Sequence, residues 1–153
     1  MINKRKQYCL LIFVLVLAVT VLSGCLKGRG DWSYELTGGY AIDRVNAHGI
    51  ALVHRQEGDT SGAYVIENFF VTDFCSNQGF IGLKGFATAD IFATDAEMKS
   101  AGRIFYLVEI ASGTVHGPYD DQDAFDQKCR SVSSRELGIW RATADITGQE
   151  AAK

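Results

Sequence analysis

Four cysteines and three histidines are the residues of this chain best suited to covalent or metal chemistry, and their spacing limits what each can do. His48, His54 and His116 invite a zinc site, which needs three or four ligands converging at about 2 Å. His48 falls in an Asn46-Ala47-His48-Gly49 turn and His54 near the far end of the strand that follows, so ordinary surface histidines and no metal are expected. Asp120, Asp121, Asp123 and Asp126 suggest calcium. A calcium loop needs acids at alternating positions, a central glycine and a late glutamate; the glycine is missing, and the segment has the pattern of a helix start. Cys75 and His116 could be paired as thiol and imidazole, but nothing in their spacing supports it. There is no Gly-x-Ser-x-Gly elbow. Gly82-Leu83-Lys84-Gly85 lacks the long loop and following Ser or Thr that cradle phosphates. Two carboxylates for glycoside hydrolysis can always be picked from 18 acids, but a sequence does not fix their separation. No catalytic residue and no cofactor is expected, and the chain is not expected to be an enzyme.

The N-terminus is more specific. Lys4, Arg5 and Lys6 precede an apolar run from Cys9 to Leu22, broken only by Thr20. That run is too short for a comfortable transmembrane helix, which needs about 20 residues. A basic start, a short apolar stretch and small residues at its end describe an export signal. Leu22-Ser23-Gly24-Cys25 resembles the lipobox of bacterial lipoproteins, in which the thiol is alkylated by a diacylglycerol and the chain is cut before it. Cleavage between Gly24 and Cys25 would make Cys25 the first mature residue. The alternatives are an uncleaved signal anchor or cleavage by the ordinary secretory peptidase. Each buried CH₂ contributes about 0.8 kcal/mol, and two chains hold where one holds only marginally. The expected location is extracytoplasmic: the outer membrane where the cell has two, since Leu26 rather than Asp follows the cysteine, and otherwise the outer face of the plasma membrane.

Removing residues 1–24 from 153 leaves 129, enough for one domain. Three of the 15 basic residues leave with the leader, so 12 face 18 acids, a formal charge of −6. That balance argues against nucleic acid, whose binding is driven by a basic surface. The expected organisation is a signal peptide over 1–24, a lipidated cysteine and short tether over 25–31, one β-rich domain over 32–146, and a tail over 147–153. Lys27 and Arg29 in the tether can meet anionic headgroups.

From Trp32 onward short apolar runs alternate with turn residues, the pattern of antiparallel strands. Tyr34 to Leu36 and Tyr40 to Val45 flank Gly38-Gly39, and Ile50 to His54 follows the His48 turn. Tyr64 to Ile66 and Phe69 to Phe74 form one interrupted strand, and Phe80 to Ala87 another. Residues 88–102 carry no clear period, with a helical turn over Ala96 to Lys99. Ile104, Tyr106, Val108 and Ile110 share one face of a strand and Phe105 and Leu107 the other, so that strand needs cover on both sides. Gly113 supplies the positive φ of the next turn, and Pro118 puts the returning strand at an edge. A helix starts near Asp121, with Asp120 or Asp121 as its capping acid and Lys128 and Arg130 late; Phe125, Cys129 and Val132 form its core stripe. Leu137, Ile139 and Trp140 close the domain as a last strand. The fold class is α+β: a small antiparallel sheet, a meander of hairpins, with one helix of the C-terminal half packed on it.

Tyr34-Glu35-Leu36 with Gly39-Tyr40, then Phe74-Cys75 with Phe80-Ile81-Gly82-Leu83-Lys84, then Tyr106 through His116-Gly117-Pro118-Tyr119-Asp120 and Cys129, resemble the small bacterial lipoproteins catalogued as domain of unknown function 3997. The resemblance covers most of residues 31–140 and implies a lipidated envelope protein without an assigned activity.

Two further expectations concern side chains. Cys9 leaves with the signal and Cys25 is blocked by lipid, so Cys75 and Cys129 remain in an oxidising setting and are expected to form a disulfide. Phe69 and Phe70 are adjacent and point to opposite faces of a regular strand, making them a candidate partner surface unless the strand twists and buries both. Trp32 and Tyr34, beside the tether, are placed to meet the membrane interface. The expected role is that of a membrane-anchored, non-catalytic binding or structural module whose partner is an envelope protein, glycan or lipid. The rivals are a membrane-tethered inhibitor or immunity-type protein against an envelope-attacking hydrolase, and an enzyme with a scattered site.

Overall fold

The computed structural model describes residues 31–46, 49–59, 61–88 and 95–146. The expected signal peptide, Cys25 with most of the expected tether, His48 and residues 147–153 lie outside them. Among the described residues, nine strands and two α-helices follow in order: β1 (Trp32–Glu35), β2 (Tyr40–Asn46), β3 (Gly49–His54), β4 (Ala63–Tyr64), β5 (Phe69–Ser76), β6 (Phe80–Ala87), α1 (Asp95–Ser100), β7 (Arg103–Glu109), β8 (Val115–Tyr119), α2 (Gln122–Val132) and β9 (Arg141–Ala142). The expected α+β class holds, with one correction: the strands form two antiparallel sheets, ordered β1-β2-β3-β4 and β8-β7-β6-β5-β9.

The two faces of β7 explain the layering. Val108 is fully buried in one core together with Ile42, Leu52, Val71, Phe74, Ile81 and Leu83, which come from both sheets; Ile104 and Tyr106 pack against it. Phe105 and Leu107 point the other way, into a second core with Phe125 of α2. The central strands of the larger sheet are therefore covered by the smaller sheet on one face and by α2 on the other. Fully burying one such side chain contributes about 1.5–3 kcal/mol.

Tyr64 to Ile66 and Phe69 to Phe74 prove to be separate. β4 pairs with β3 in the smaller sheet and β5 with β6 in the larger, and Asn68, at φ 56°, lies between them. Within β5 the register shifts between Val71 and Asp73. That bulge adds one residue, so Phe74 faces the same core as Phe69 and Val71, although two residues rather than one separate it from Val71. The backbones come close there: a Cβ on Gly85 would lie 1.9 Å from the Phe70 carbonyl oxygen.

β8 is an edge strand, as Pro118 requires, and Gly113 has φ 67°. Asp121 caps α2, its carboxylate accepting from the Ala124 amide at 2.7 Å, a contact that contributes about 1 kcal/mol. The core stripe of α2 is shorter than expected. Phe125 is buried and Cys129 half-buried, while Val132 in the last turn is 36 % exposed. The last strand is also displaced. Only Arg141 and Ala142 pair with β5, while Leu137 and Trp140 pack on the second core without joining a ladder.

Candidate functional site

The most distinctive surface feature lies in the stretch expected to be that last strand. Ile139 is 91 % exposed, while Leu137 and Trp140 to either side of it are half-buried. Trp140 meets the rings of Phe125 at 5.7 Å and Phe105 at 6.3 Å, and Lys84 stands 5.9 Å over its face. Leu137 packs beside them, and Gly138 passes so close to β5 that a Cβ would lie 2.8 Å from the Ser76 carbonyl oxygen. Farther back, Asn77 donates to the Glu136 carbonyl at 3.2 Å and Arg135 donates to Gln78 at 3.3 Å. The backbone is thus held at several points while Ile139 is left in water. A hollow of about 430 Å³ separates this loop from the end of α2; Phe125, Cys129, Leu137 and Trp140 line it together with Arg130 and Arg135. That size matches small-molecule and side-chain pockets.

A second hollow, of about 320 Å³, opens where the two sheets part beside β5, lined by Trp32, Arg44, Ile50, Phe70, Thr143 and Ile146 among others. Thr143 closes the strand edge there, donating to the Thr72 carbonyl at 3.0 Å. Farther along β1, Arg141 reaches the Tyr34 hydroxyl at 2.5 Å and lies over its ring.

The outer face of the smaller sheet carries a polar cluster that the sequence did not announce. Arg55 pairs with Asp43 and, at 3.0 Å, with Glu35, and the Ser33 hydroxyl donates to Asp43 at 2.6 Å. A serine against a carboxylate resembles part of a nucleophile's machinery. Here the carboxylate is already committed to a guanidinium, so it is no free base. The cluster lies on the same side as the small buried residues Ala41, Ala51 and Val53, whose cover it provides.

Cys75 and Cys129 are both free thiols, so the expected disulfide is not formed in this structure. They lie on the α2 side of the larger sheet; a Cβ on Gly82 would meet Cys75 Sγ at 2.7 Å and the rings and methyls of Phe125 and Leu137 at 3.1 Å. Burial, then the neighbouring Cys129, pushes the Cys75 thiol up to about 12. Burial and then Asp126 push Cys129 up to about 11. Both stay protonated at neutral pH, the opposite of an activated nucleophile.

The remaining expected residues are dispersed. Phe69 is corrected: it is only 6 % exposed and stacks edge-on against Tyr106 at 4.9 Å, so it belongs to the core and offers no partner surface. Phe70 is half-buried and lines the smaller hollow. His54 lies against Tyr40 at 4.6 Å, and His116 sits on edge strand β8. Among the described residues no three His, Cys, Asp or Glu side chains converge as metal ligands would. Gly24 and Cys25 fall outside the described residues. Ile139 was missed because Leu137, Ile139 and Trp140 read together as a last strand; Gly138 among them was the available warning. No family model, curated protein or solved structure matches the chain.

Proposed function

We propose that this chain is an envelope lipoprotein, anchored through Cys25 and cut after Gly24, that works as a binding module rather than an enzyme. The observation that carries the binding reading is Ile139, almost fully exposed on a loop held from both sides, next to a hollow with apolar and arginine lining. Binding energy at protein interfaces concentrates in a few anchors set in or beside pockets, and a loop already fixed in place loses little freedom on binding. The lipobox supports the address. Confinement to a membrane raises the effective concentration of any partner in the same plane.

A photo-crosslinking residue at position 139 of the full chain, activated in intact cells, tests this directly. A discrete adduct is expected, and Ile139→Asp is expected to abolish partner co-purification while changing stability by less than about 0.5 kcal/mol. Uniform background labelling, with losses of function mapping instead to a cluster of histidines or carboxylates, would favour an enzyme. The pinned loop also favours a second reading, a tethered inhibitor; capture of a hydrolase whose activity the protein suppresses would select it.

The same address implies oxidation of the cysteine pair. Cys75 and Cys129 would lose two electrons and two protons to a thiol oxidant outside the cytoplasm, closing a loop of about 55 residues that stabilises by roughly 4 kcal/mol in the chain-entropy model. Denatured protein from intact envelopes should then show no free thiol until reduced, and two afterwards. Two reactive thiols without reduction would mean that the pair stays open.

A further inference from the structure

We infer that the hollow lined by Trp32, Arg44, Ile50, Phe70 and Ile146 is the face on which the domain rests against an anionic phospholipid surface. The inference depends on the proposed anchor at Cys25. Trp32 both begins β1 and lines the hollow, and it stands seven positions after Cys25. Chain of that length reaches at most about 24 Å, so lipid on Cys25 keeps this hollow near the bilayer whatever path the tether takes.

The lining suits such a surface. Trp32 is half-buried, and amphipathic rings of this kind settle at membrane interfaces. Ile50 and Phe70, both half-buried, supply apolar surface, and Arg44 brings a guanidinium to the same hollow. Lys27 and Arg29 lie in the tether that leads to it. Asp31 and Asp145 adjoin Trp32 and Ile146, so three bases face two acids here, a small local excess of positive charge where the residues after position 24 carry a formal charge of −6, 12 bases against 18 acids. It is what attraction to anionic headgroups requires.

The test uses the full chain, recovered from cell membranes and reconstituted into phosphatidylcholine vesicles with about a third phosphatidylglycerol. Ala144→Cys places a fluorescent label on an exposed residue of the hollow. Ser112→Cys places the same label on the β7–β8 turn, next to Tyr40, at the far end of β2 from Arg44. Cys75 and Cys129 do not compete for the label: the proposed disulfide leaves them no thiol, and in the open pair burial pushes the thiols up to about 12 and about 11. Spin-labelled lipid is expected to quench the label at 144 about threefold or more over the label at 112. The contrast should shrink in vesicles without phosphatidylglycerol, and Trp32→Ser should reduce it. Equal quenching at both positions would overturn the inference, as would protection of position 144 in native membranes but not in lipid-only vesicles, which would assign the hollow to a protein. Intact mass taken on the same samples reports acylation of Cys25 separately, so failure of the anchor and failure of the membrane face are told apart.

Discussion

Cys25→Ser should leave a full-length precursor of 153 residues, uncut and without lipid, in place of the processed protein. The effect is expected to be all-or-none, because the first step alkylates sulfur. A thiol ionises near pH 8.5 and attacks as the thiolate, whereas a serine hydroxyl is far less acidic and far less nucleophilic. Without that thioether the proposed cleavage after Gly24 has no substrate. Cys75→Ser and Cys129→Ser should be processed normally, since both thiols lie within the folded domain. Metabolic labelling with an alkyne-bearing fatty acid, followed on a gel, reads both changes at once. Label and a mature-size band in the Cys25→Ser chain would mean that another residue carries the anchor.

Phe125→Ala should cost about 3–5 kcal/mol, the largest loss expected from a single substitution on the helical side of the domain. Phe125 is 1 % exposed and is the only buried side chain of α2. Its ring meets Phe105 at 5.5 Å, Trp140 at 5.7 Å and Tyr119 at 6.4 Å, so it joins α2 to β7, β8 and the Ile139 loop together. Alanine would enlarge the adjacent hollow of about 430 Å³. Phe125→Leu, which keeps most of the volume, should cost less than about 1.5 kcal/mol. For a domain of this size the alanine loss corresponds to a fall in Tm of roughly 10–25 °C. A fall of only a few degrees would show that α2 is held chiefly by its other contacts. Crosslinking from position 139 should weaken in parallel, because Trp140 would lose one of its two ring neighbours.

The parts of the fold set by local pattern were legible in the sequence. The two faces of β7 were visible because a strand alternates with period two, and both faces were apolar. The Asp121 cap and the Gly113 turn were visible because each uses a residue suited to one local conformation. What was not legible depends on partners far along the chain. The division into two sheets follows from β4 pairing backward with β3 while β5 pairs forward with β6. Phe69 looked available because nothing in its neighbourhood announces the bulge beyond Val71 or the ring of Tyr106.

The candidate site shows the same limit. Ile139 faces solvent because its loop is tied to Asn77 and Gln78, 59 and 57 positions away in the bonds that hold it, and no local period encodes those ties. Conversely, the features with the strongest sequence signature, Gly24 and Cys25, lie outside the described residues. The sequence therefore speaks to the address and the structure to the surfaces, and the proposed function joins the two.

The anchor supports both the proposed function and the membrane face, so the most direct measurement is the intact mass of the wild-type protein extracted from membranes. The account predicts a chain that begins at Cys25 and carries a diacylglycerol thioether on that residue. A mass matching the intact 153-residue chain, or an unmodified chain cut at some other bond, would contradict it.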